Sequence, residues 1–156
     1  MRGTERRRNI FITVLIVLTL AFIWGNSLLS TDESDGLSRW ILRHIFNGSF
    51  FLDDFDSGNH ILRKCAHFTE FAFLAFLICM RFRASKRFWL LGAAAFAAAA
   101  ADETIQLFTG RGARVKDVLL DCSGAVFGIV IAAALLAAVK SVKRSRKAAR
   151  GENNAS

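Results

Sequence analysis

The sequence predicts an all-α polytopic membrane protein: four transmembrane helices, with a short interfacial helix in the first extracytoplasmic loop. Three observations carry this. Hydrophobic residues make up 53% of the 156, and proline is absent. The apolar residues gather in four runs, each near the length that crosses a hydrocarbon core of about 30 Å at ~1.5 Å per residue. The basic residues flank these runs, so membrane topology accounts for the formal net charge of +8. No basic cluster is interleaved with aromatics as a single-strand binder requires, and no nucleic-acid partner is expected.

The first run, IFITVLIVLTLAFIWGNSLL, covers residues 10–29. Trp24 stands near its far end, where an interfacial indole is common. The preceding MRGTERRR resembles the n-region of a signal peptide. The apolar stretch is long and no A-x-A-like site follows, which favours an uncleaved first span. The second span is read over residues 61–80, the third over 88–108 and the fourth over 117–139. Together they make one membrane domain, residues 1–139. Residues 140–156 form a basic cytoplasmic tail, expected to be partly disordered and drawn to anionic lipid.

Orientation follows from lysine and arginine. Four precede the first run, four stand in the short stretch RFRASKR and six follow the last run, so 14 of the 21 fall on one side. The positive-inside rule then puts both termini in the cytoplasm, with the protein multi-pass in the membrane. Residues 30–60 face outward. Within them Leu37, Trp40, Ile41 and Ile45 repeat at helical spacing, an interfacial helix closed by Asn47 and Gly48.

This topology sorts the polar residues. Arg63, His67 and Glu70 lie in the outer part of the second span at i, i+4, i+7 spacing, one helix face. Asp102, Glu103 and Gln106 arrive near the same surface on the third span. Asp117 and Asp121 begin a stripe on the fourth that continues through Gly124 and Gly128. Arg111, Arg114 and Lys116 lie between the last two spans. A charge at the bilayer centre costs ~2.5–3.5 kcal/mol on insertion scales, so these groups must pair or line a wet cavity.

One reading is a network that only glues helices, with Arg63 or Arg111 neutralising Asp102 or Asp121 and Gln106 bridging. Interhelical polar contacts average about 0.6 kcal/mol, a weak return for so many charges. An outward-facing functional pocket is therefore expected. His67, Glu70, Asp102, Glu103 and Asp121 are its candidates for proton transfer, with Glu70 or Asp121 setting the His67 tautomer. Arg63, Lys64, Gln106, Arg111, Arg114 and Asp117 are its candidate ligand-binding residues, the arginines suited to phosphate or carboxylate. The His-x-x-Glu and Asp-Glu pairs are compatible with mixed nitrogen and oxygen ligation. There is no H-E-x-x-H motif or cysteine pairing, so no metal and no cofactor is expected. Cys65, Cys79 and Cys122 read as small buried hydrophobes. No serine or cysteine has an activating partner in sequence. The Ala-rich stretch 92–101 and the G-x-x-x-G of Gly124 and Gly128 suggest close packing between the third and fourth spans, drawing Asp102 and Asp121 together.

RKCAHFTEF and DETIQLFTGRGARVKDVLLDCSGAVFG, taken together, resemble the VanZ-like membrane proteins. That family's pattern is Arg-Lys, His-Phe-x-Glu, Asp-Glu-x-x-Gln, then Arg and Asp-Val-x-x-(Asn/Asp)-x-x-Gly. It falls here on Arg63, Lys64, His67, Phe68, Glu70, Asp102, Glu103, Gln106, Arg111, Asp117, Val118, Asp121 and Gly124. The sequence departs from it twice. Phe71 stands where the family frequently has Tyr, so a hydroxyl is missing. Asp121 stands where it often has Asn, which adds a charge. The resemblance implies a small bacterial multi-pass envelope protein. Its namesake is linked to teicoplanin resistance and acts without altering peptidoglycan termini. The common depth of the charges, with Arg111 and Arg114 at the mouth, leads us to expect an anionic ligand such as an envelope precursor or glycopeptide, with membrane lipids as partners. The resemblance supplies no reaction. The enzyme alternative, acting on a lipid phosphate or envelope precursor through His67, stays open, as does the oligomeric state.

Overall fold

The computed structural model describes residues 2–28, 36, 40, 55–82, 88–108 and 115–152. Among them the fold is all-helical: α1 (Arg2–Leu28), α2 (Phe55–Arg81), α3 (Phe88–Phe108) and α4 (Val115–Glu152). The interfacial helix expected around Leu37, Ile41 and Ile45 lies outside the described residues, as do Arg111 and Arg114.

Several hydroxyls inside the helices are satisfied locally. Thr13, Thr19, Thr69 and Thr104 each donate to the carbonyl four residues back, and Ser123 to that of Leu120, at 2.6–2.8 Å. Such bonds let a hydroxyl sit in an apolar setting without a tertiary partner.

Successive helices run antiparallel. Arg81 Nε donates to Thr13 Oγ1 at 3.1 Å, placing the end of α2 beside the first half of α1. Towards the other end, Ile23 of α1 packs with Phe71, Leu74 and Ile78 of α2 and with Ala98 and Ala99 of α3. A second cluster joins Ala75 and Cys79 of α2 to Ala95 of α3 and to Ala125, Ile129 and Ala132 of α4. Alanines let α3 approach both neighbours closely. Trp24 packs against the first cluster instead of standing apart at an interface. Phe71 is fully buried in that cluster, so the side chain without a hydroxyl sits among apolar neighbours.

The tightest pair is α2 with α4, which run parallel. This corrects the assignment of G-x-x-x-G packing to the third and fourth helices. A Cβ on Gly124 would overlap the Phe68 carbonyl oxygen and stand 3.1 Å from that residue's carbonyl carbon and Cα. A Cβ on Gly128 would overlap the Ala72 carbonyl oxygen and stand 2.7 Å from its carbon. Both glycines are needed because the α2 backbone fills the space a side chain would take.

Two helical stretches, Gly3–Leu28 and Val115–Arg146, are long and apolar enough to cross a membrane. Ile10, Phe11, Val14, Val17, Leu18 and Phe22 of α1 are exposed, as are Val126, Phe127, Val130 and Ile131 of α4. In water these faces would be a large unpaired apolar surface. In lipid they are solvated, so burial is not what they need. α4 also continues as helix past the expected end of its span, through Lys140 to Glu152. Its lysines, arginines and alanines are good helix formers, and no proline interrupts them.

Candidate functional site

The site forms where α2, α3 and α4 bring their polar residues to one end of the bundle. On α2, His67 is one turn before Phe71, so the core contact of Phe71 fixes the face from which His67 projects. On α4, Asp121 lies three residues before Gly124, and on α2 His67 lies one before Phe68. The Gly124–Phe68 contact therefore sets Asp121 opposite His67. On α3, Ala98 and Ala99 enter the core, and the next turn delivers Asp102.

His67 Nδ1 lies 3.7 Å from Asp102 Oδ2, 3.9 Å from Glu70 Oε2 and 4.0 Å from Asp121 Oδ1. Asp102 and Asp121 are among the most deeply buried side chains, at 0% and 1% exposure. Gln106 Nε2 donates to Asp102 Oδ2 at 2.8 Å. That bond is local to α3, between residues one turn apart, and it anchors one carboxylate oxygen. The second Asp102 oxygen, Oδ1, and Asp121 Oδ1 are buried with no hydrogen-bond partner among the described residues. Glu103 and Gln106 are buried as well.

Of the residues singled out in sequence, the structure therefore unites His67, Glu70, Asp102, Asp121 and Gln106. Arg63 and Lys64 are half-buried on α2 and make no ion pair within 4 Å among the described residues. Arg63 is thus not the neutralising partner that a gluing network would require. Asp117 is half-buried one turn before Asp121.

Sequence reading missed the burial of Ser27 on α1 and placed Trp24 at an interface. Ser27 is fully buried, and the buried Trp24 Nε1 has no hydrogen-bond partner among the described residues. Seven-residue spacing from Leu20 to Ser27 marks one face, but an apolar span offers no way to tell which face turns inward. A groove of about 350 Å³ between α1 and α2 was also not foreseeable. It is lined by Leu15, Leu18, Phe22 and Phe73, with Thr69 and Glu70.

Chemically, the site sets one imidazole among three carboxylates in a poorly hydrated setting. It is suited to handling protons or a cation, and any anion must be met by cationic groups outside this cluster.

No curated protein and no solved structure matches the chain. The family model for VanZ/LLP1 matches residues 9–137, from the first apolar helix through Gly124 and Gly128, and so includes every helix that builds the site. The chain is a membrane protein and belongs to the VanZ/LLP1 family.

Proposed function

We propose that this VanZ-family protein crosses the bacterial cytoplasmic membrane four times, with both termini inside, and binds a lipid-linked anionic envelope ligand at its outward end. Such binding would contribute to glycopeptide (teicoplanin) resistance. The observation that carries the reading is the meeting of His67, Glu70, Asp102 and Asp121 within 4.0 Å at one end of an antiparallel bundle. The alternating helix directions and the basic flanks of the apolar runs support four spans in this orientation.

The groove between α1 and α2 supports a ligand with an acyl chain. Its walls are leucines and phenylalanines, and Glu70 closes it on the side of the cluster. A chain in the groove would bring its headgroup toward His67. Arg63, Lys64, Arg111 and Arg114 would meet the anionic charge.

The test is teicoplanin susceptibility in cells carrying His67→Ala, Glu70→Gln or Arg111→Ala at equal membrane levels. Loss of protection in these variants is expected. Wild-type susceptibility in all three would remove the pocket from the explanation.

A second reading, an enzyme acting on a lipid phosphate or envelope precursor, is favoured by one observation. Three carboxylates face the single nitrogen His67 Nδ1, an arrangement able to orient an acid/base imidazole. Incubating the purified protein with lipid phosphates and following phosphate release tests this reading. Absence of product with and without divalent cations counts against it.

A further inference from the structure

We propose that His67, Asp102 and Asp121 form a binding site for one divalent first-row cation, of the manganese, iron or zinc kind. One ligand atom from each of the three lies within 4.8 Å of the others. His67 Nδ1 stands 3.7 Å and 4.0 Å from the two aspartate oxygens. These separations exceed hydrogen-bond distance. They are a little wider than the about 3.3 Å between adjacent donors of a tetrahedral site with bonds of ~2.0–2.1 Å, so the three side chains would close slightly on an ion.

Two further observations point to a ligand. First, Asp121 is 1% exposed and its Oδ1, the oxygen turned toward His67, accepts no hydrogen bond among the described residues; Asp102 Oδ1 is in the same condition. Buried acceptors are almost always satisfied, and the unpartnered Asp121 oxygen on the side of His67 calls for a partner in that space. Second, Gln106 holds Asp102 through a 2.8 Å bond to Oδ2. A supporting donor of this kind orients a ligating carboxylate and typically changes metal affinity ~10–100-fold.

Charge gives the physical reason. Two carboxylates and a neutral imidazole have a net charge of minus two, which a divalent cation cancels. Left alone, paired charges in a low-dielectric interior are costly. The donor set is one nitrogen and two or more oxygens. It has no thiolate, which disfavours copper(I). Glu70 Oε2, 3.9 Å from His67 Nδ1, is placed to add a further oxygen. No spacing motif announces the site because its ligands come from three different helices.

The cation also reconciles an acidic cluster with an anionic ligand. It turns the centre into a place where a phosphate or carboxylate can dock. That role rests on the envelope-ligand reading above, but the cation site itself does not.

The experiment is metal binding to the full chain purified in detergent. Manganese(II) uptake is followed by electron paramagnetic resonance, cobalt(II) by visible absorption, and zinc(II) by competition with both. One ion per chain is expected. Asp121→Asn, Asp102→Asn and His67→Gln should each weaken binding at least ~10-fold, and Gln106→Leu ~10–100-fold. Glu5→Gln, at the opposite end of the bundle, should leave it unchanged. Folding is checked by helicity and gel filtration, and thermal unfolding adds an independent readout. Metal should raise the melting temperature of the wild type and not that of Asp121→Asn, whose metal-free form should be at least as stable as metal-free wild type. The proposal is overturned if the wild type binds none of the three ions. It is equally overturned if the aspartate variants bind as tightly as the wild type. Neither result depends on teicoplanin susceptibility, so the cation site and the envelope-ligand reading can fail separately.

Discussion

Gly124 of α4 lies against the backbone carbonyl of Phe68 of α2, so closely that a methyl group in its place would overlap the oxygen. Phe68 is the neighbour of His67, and Gly124 is one turn from Asp121. The same contact that packs the parallel helices therefore brings an imidazole to within 4.0 Å of a buried carboxylate.

Enlarging either glycine should force α2 and α4 apart. Overpacking costs ~1–3 kcal/mol in well-packed interiors. Gly124→Ala is expected to lower the thermal unfolding midpoint in detergent and to disrupt the His67–Asp121 pairing. Gly128→Leu should do more damage, because a longer side chain meets the Ala72 backbone. Gly92→Ala is the control, since nothing lies within 4 Å of its added methyl. Equal midpoints for all three variants would contradict the packing.

Removing the amide of Gln106 leaves Asp102 Oδ2 without its 2.8 Å donor. An unsatisfied buried acceptor costs ~1–3 kcal/mol. Gln106→Leu should lose stability of that order, measured by chemical or thermal unfolding. The double variant with Asp102→Leu should recover part of the loss, since both partners of the bond are then apolar.

The Arg81–Thr13 bond places the end of α2 beside the first half of α1. Cysteines at these two positions, with Cys65, Cys79 and Cys122 replaced by alanine, should be bridged readily by a short bis-methanethiosulfonate reagent that replaces the reach of the arginine side chain. A pair at Thr13 and Thr69 should not. The readout is a mobility shift on a denaturing gel, reversed by reductant.

Topology can be read with reporters. A fluorescent protein fused after Ser156 should fluoresce in the cytoplasm, while an alkaline phosphatase fused there should be inactive. A phosphatase inserted between the third and fourth helices, near Gly110, should be active. Inverted signals would place the polar cluster at the cytoplasmic face and remove the outward-facing pocket.

Much of the candidate site could be read in the chain. Asp102 and Gln106 share a face because they are one turn apart, and their hydrogen bond is a local consequence of helix geometry. The 3.6-residue period likewise groups His67 with Glu70. Period and composition do not name the neighbour that a helix face meets. G-x-x-x-G signals a close approach, yet nothing in it chooses α2 over α3. The partner was decided by which backbone could enter the groove.

The sequence alone determined that the chain is helical and that it belongs with membrane proteins. These follow from local hydrogen bonding and from the length of the apolar runs. Tertiary structure alone decided that Arg63 forms no ion pair among the described residues while His67 stands among Glu70, Asp102 and Asp121. The physical reason is that rotation of a helix about its axis is set by side-chain packing across three helices at once. Phe71, the paired glycines and the alanines of α3 supply that packing here.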